Sequence, residues 1–87
     1  MNHYLIVYRR SEGKLLRCTE YRSQRSGELA LMDRFTLERK HAGDPDVEIV
    51  VLGADSLDAL KVTHGRYFFT AAELAGRMRD ALQRTAP

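Results

Sequence analysis

The first twenty-two residues divide into two apolar-rich runs separated by a short polar break. The run 3-HYLIVYRR-10 is dense in β-branched and aromatic residues, and 15-LLRCTEYR-22 follows after 11-SEGK-14. Such residues suit a pleated, half-buried surface, and Glu12-Gly13 can serve as a two-residue loop with glycine at positive φ. The pattern predicts a β-hairpin. With that loop, Tyr8 faces Arg17, Ile6 faces Thr19 and Tyr4 faces Tyr21. Side chains alternate across a strand. One face then carries Tyr4, Ile6, Tyr8 and Arg10 with Leu15, Arg17, Thr19 and Tyr21, and the other carries Leu5 and Val7 with Leu16 and Cys18. The assignment is conditional on the loop, because a one-residue slip changes the pairing.

After the loop 23-SQRSGE-28 the period changes to that of a helix. Ser26 is a candidate N-cap, Glu28 suits the first turn, and Leu31, Met32, Phe35 and Ala42 lie mainly on one stripe. Gly43 stops this helix and 44-DPD-46 turns the chain. The run 47-VEIVVLG-53 is almost continuously aliphatic and predicts a third strand buried on both faces. Asp55 or Ser56 caps a short helix to about Thr63, with Leu57 and Leu60 on one side. Over 71–85, Ala71, Leu74, Ala75, Met78, Ala81 and Leu82 recur at helical spacing, the clearest amphipathic pattern in the chain.

The predicted order is β-β-α-β-α-α in one small α+β domain spanning 1–87. Its sheet is three-stranded and mainly antiparallel, in the order 2-1-3. The first helix crosses one face as in a split βαβ unit, and the last helix covers the other face or a partner.

Composition narrows the class without naming a chemistry. The chain has 87 residues, 44% hydrophobic and 30% charged, as in a soluble globular domain. So short a chain buries only about 60–65% of its unfolded surface, which makes self-association a way to cover the remainder. The lone Cys18 permits no internal disulfide and suits a reducing compartment. Neither a leader pattern nor about 20 consecutive apolar residues is present, so the expectation is a cytoplasmic protein with no membrane partner. Net charge is +2. It is distributed unevenly: residues 1–25 hold six bases against two acids, 26–60 hold three against eight, and 61–87 hold five against two.

Candidate chemistry was sought at each reactive residue type. Cys18 reads as a buried structural thiol, since a reactive one needs exposure and a neighbouring positive charge. His3, His41 and His64 share no metal-ligand spacing, and no cofactor or metal is expected. Asp44, Asp46, Asp55 and Asp58 read as turn and helix-start residues, and Glu48 adds one acid to the third strand. Neither a calcium loop nor a carboxylate pair suited to acid–base work emerges. Gly53 between a strand and a helix is a weak echo of a phosphate-binding turn.

In 61-KVTHGRYFFTAAEL-74, Gly65 predicts a left-handed helix stop with His64 beside the last carbonyls. Thr70 and Glu73 have capping-box spacing. Tyr67, Phe68 and Phe69 are too apolar for a free loop, and local rules do not account for Arg66. No residue is assigned a catalytic role. The candidate interaction surface comprises Tyr4, Tyr8, Arg10, Arg17 and Tyr21 with Arg66, Tyr67, Phe68 and Phe69. Two functions follow from it. The first is a non-enzymatic domain acting through protein contacts as a homodimer. The alternative is a nucleic-acid-binding module on the basic, tyrosine-bearing hairpin, where bases would stack on the rings.

Overall fold

The computed structural model describes residues 1–85. The elements run β1 (Asn2–Arg9), β2 (Lys14–Tyr21), α1 (Ser26–Lys40), β3 (Val47–Ala54) and α2 (Leu57–Thr63). A 3-10 turn (Gly65–Tyr67) and α3 (Ala71–Thr85) complete the described chain. The sheet order is β2-β1-β3, and β1 is antiparallel to both neighbours. The central place of β1 follows from its side chains. Tyr4, Leu5, Ile6 and Val7 are buried in succession, which only a strand covered on both faces can achieve.

Two apolar layers result. On one face Leu5 and Val7 pack with Leu37 of α1 and with Tyr21, Val47, Ile49 and Val51. On the other, Tyr4 and Ile6 pack with Leu60 of α2 and with Tyr67, joined by Tyr8, Leu15, Cys18 and Phe68. The cover on the tyrosine side is therefore α2 and the 3-10 turn. α3 rests mainly on that turn, with Leu74 and Phe69 closing over Gly65, where a Cβ would lie 3.2 Å from Leu74 Cδ2. Close approach explains this glycine, and its φ is not positive. The expected left-handed stop is instead a tightening into a 3-10 turn.

The hairpin register differs from the expected pairing by two residues beside the loop and by one beyond a bulge. Arg9 pairs with Lys14, so the loop is the four residues Arg10–Gly13, closed by Gly13 N–H donating to the Arg10 carbonyl at 3.2 Å with Gly13 at φ 58°. Val7 faces Arg17 but Tyr8 faces Leu15, leaving Leu16 as a bulge. Cys18 and Glu20 thereby join the tyrosine face, opposite Ile6 and Tyr4, while Arg17, Thr19 and Tyr21 turn to the α1 side. Two-residue and four-residue turns are both open to this stretch, and the bulge resets the alternation downstream.

α1 is also rotated from expectation. It buries Ser26, Ala30 and Leu37, whereas Leu31, Met32 and Phe35 remain 43%, 64% and 52% exposed. Small residues win the sheet side because they let the helix approach closely. A Cβ on Gly27 would meet the His3 ring at 3.4 Å, and His3 Nδ1 lies 2.7 Å from Ser26 Oγ. Ser26 is thus the first helical residue, spending its hydroxyl on the sheet, and Arg25 occupies the cap position without a side-chain bond. Elsewhere the caps follow the sequence. Ser56 Oγ accepts from Ala59 N–H at 3.1 Å, and Thr70 Oγ1 accepts from Glu73 N–H at 3.1 Å.

Candidate functional site

The predicted surface residues divide among four environments. Tyr4 and Tyr67 are core. Tyr8, Arg10, Arg66 and Tyr67 converge on the tyrosine side, whereas Arg17 and Tyr21 sit across the sheet. Phe68 joins the core beside Tyr4 and Ile6, and Phe69 packs at Gly65 beneath the Arg77 guanidinium, 4.3 Å from its ring centre. Tyr21 donates to Asp33 of α1. Burial, and then the neighbouring carboxylate, push its phenol up to about 12.

The converging group is organised by Glu48, an acid in an otherwise aliphatic strand. Strand alternation points it to the tyrosine side, where its Oε2 accepts from Tyr67 Oη and Arg66 Nη2, both at 2.5 Å. Its Oε1 accepts from Arg10 Nε and Nη2, both at 3.3 Å. Arg66 lies over the Tyr67 ring at 4.3 Å, and Tyr8 meets Tyr67 edge-to-face at 5.2 Å between centres. This accounts for Arg66: it ties the 3-10 turn to β3 through Glu48. Sequence reading missed Glu48 as the centre. The available signal was one carboxylate inside a buried aliphatic strand, which demands cationic or donor partners.

The electrostatics describe a closed bridge. The hydrogen bond from Tyr67 holds the Glu48 carboxyl below its usual range, aided by Arg66 and Arg10 against the opposing effect of burial. Burial, and then the bond to Glu48, push the Tyr67 phenol up. Both groups move away from neutrality, and an acid–base catalyst needs the opposite. Cys18 is similarly quiet, because burial first and Glu20 second raise its thiol. Among the described residues no set of three His, Cys, Asp or Glu side chains is placed to hold a metal ion. None of the described helices is long and apolar enough to cross a membrane.

Most hairpin bases are engaged internally. Arg9 pairs with Asp44 and Asp46, Arg10 with Glu48, and Arg22 with Glu20. With α2 over the tyrosines, that face offers no open aromatic platform. Exposed apolar side chains lie along the outer stripe of α1 and at Met78 of α3, and among the described residues β3 is an edge of the sheet. Along that edge runs a groove of about 440 Å³, floored by Val47–Val50 and walled by Glu38 and His41 on one side and Arg66 and Tyr67 on the other.

The carboxylate directions set an acid response. Glu48, Asp46 and Glu20 all titrate below their ordinary values of 4.5, 3.8 and 4.5, through bonds led by Tyr67, Ser11 and Tyr4 respectively. A lowered folded-state pKa contributes stability above the unfolded value and loses it as pH falls through the folded one. Urea unfolding at stepped pH is expected to show stability level above about pH 5 and falling steadily below about 4.5. Glu48→Gln is expected to make that decline shallower; an unchanged slope would dismiss the bridge as a contributor.

Comparison with protein-family models, curated proteins and solved structures finds no match to this chain.

Proposed function

We propose that this chain is a non-enzymatic interaction domain that works as a homodimer. The observation that carries the reading is the outward turn of α1. Leu31, Met32 and Phe35 stand exposed while the sheet receives Ser26, Ala30 and Leu37. A contiguous apolar stripe of that kind is the signature of a surface that is covered in use. Met78 and Leu82 of α3 extend the same imbalance. The economy of a short chain points the same way, since a small core leaves apolar surface that association can cover.

Size-exclusion chromatography with light scattering tests the reading. The expected mass is about twice the 10.0 kDa of the chain, returning toward the monomer on dilution. A monomer mass at every concentration up to the millimolar range would sink the homodimer.

A further inference from the structure

We propose that the free edge of β3 pairs antiparallel with β3 of a second copy, fusing the two sheets into one. This rests on the homodimer reading above and specifies its interface.

The two edges of the sheet are treated differently. β2 is interrupted by the Leu16 bulge and carries Lys14, Arg17 and Glu20, devices that discourage edge pairing. β3 pairs with β1 over eight residues without a shift in register. It contains neither proline nor lysine, and its one charge, Glu48, is bound to Arg66 and Arg10. A long, flat, aliphatic edge of this kind is a template for another strand.

The peptide groups that would pair can be identified. Arg10 N–H donates to the Asp46 carbonyl at 2.9 Å, one step beyond the Arg9–Val47 pair. Hydrogen-bonded and non-bonded pairs alternate in an antiparallel ladder, so Glu48, Val50, Leu52 and Ala54 bond inward to β1. Val47, Ile49, Val51 and Gly53 turn their peptide groups to the open edge. The Val47 N–H is taken by the Asp44 carbonyl at 3.3 Å. Among the described residues no strand lies beyond Ile49, Val51 and Gly53.

Self-complementarity and charge select a second copy as the occupant. A two-fold axis at Val50 sets Ile49 opposite Val51 of the second copy, outward group to outward group, and Val47 opposite its Gly53, where the Val47 carbonyl can accept but its N–H is already engaged. The same axis lays the two α1 helices antiparallel. Leu31, Phe35, Glu38 and Ala42 share one helical stripe, and Glu38 walls the groove along β3 while Asp33 bonds to Tyr21 on the β2 flank. The Leu31–Glu38 side of α1 therefore lies toward the pairing edge, with Phe35 on its outer margin. On that side of α1 Glu38 is already neutralised by Arg34 at 2.7 Å, so antiparallel helices bring a paired carboxylate rather than two repelling ones to the seam.

Ile49→Pro tests the edge directly. Proline deletes an N–H that faces the open edge and leaves the ladder to β1 intact. Light scattering is expected to show dimerisation weakened at least about 100-fold, with the far-ultraviolet circular dichroism of the folded chain retained. A folded Ile49→Pro that dimerises like the unmodified protein overturns edge pairing and leaves the homodimer standing, whereas a monomeric unmodified protein overturns both. Hydrogen exchange of the unmodified protein needs no variant. Protection of the Ile49, Val51 and Gly53 amides is expected to rise with concentration in step with the mass. Equal exchange of these amides in monomer and dimer overturns the proposal.

Discussion

Leu60→Ala is expected to lower the melting temperature by about 10–30 °C, the largest effect of any single truncation in α2. Leu60 is fully buried and is the residue through which α2 reaches the Tyr4–Ile6–Tyr67 core. Removing most of a buried leucine costs about 2–5 kcal/mol, part lost transfer energy and part cavity. An 87-residue domain holds about 4–13 kcal/mol in total, so the loss is a large share of it. The consequence reaches past α2. The 3-10 turn follows directly in the chain, and through it Arg66 and Tyr67 grip Glu48 while α3 finds its seat. Val62, on the same helix but exposed, is the control, and its truncation is expected to shift the melt by less than about 3 °C. Thermal circular dichroism at one fixed concentration measures both, and similar shifts for the two variants would mean that α2 is not seated as described.

Phe35→Glu is expected to have the largest effect on assembly, weakening the proposed dimer by about 100-fold or more. A glutamate on the outer stripe of α1 would be desolvated against apolar side chains of the proposed interface. In the monomer it stays in water, because the position is already half exposed. The folded signal at low concentration is therefore expected to survive. Leu37→Glu, two residues on, is expected to abolish folding, since Leu37 fills the core over Leu5 and Val7. Light scattering separates assembly from folding for each variant. If Phe35→Glu unfolded the monomer, the rotation of α1 would be the reverse of that described.

That rotation marks the limit of what periodicity could reveal. Leu31, Met32 and Phe35 form the more apolar stripe of α1, and a rule that buries the greasiest face points them at the sheet. The sheet instead takes Ser26, Gly27, Ala30 and Leu37, because close approach, the Ser26–His3 contact and the Tyr21–Asp33 bond are tertiary terms. The hairpin shows the same limit at smaller scale. Both strands were legible from their β-branched and aromatic content, yet a four-residue loop and the Leu16 bulge moved Arg17 and Tyr21 away from Tyr4 and Tyr8. At the bridge, Arg66 and Tyr67 were legible as residues in need of partners. Glu48 carried the same signal as a lone carboxylate in an aliphatic strand, but that these residues pair was not legible, because they lie 18 and 19 residues apart in sequence.

By itself the sequence determined the element order, the class, the central place of β1 and the caps at Ser56 and Thr70, because propensity, alternation and capping act within a few residues. Tertiary structure alone decided which face of α1 is buried, which hairpin residues share a side, and that α2 rather than α3 covers the tyrosines. Those outcomes turn on contacts between segments distant in the chain. Differences of a single residue in loop length or a single methylene in helix approach select among arrangements that local pattern leaves equal.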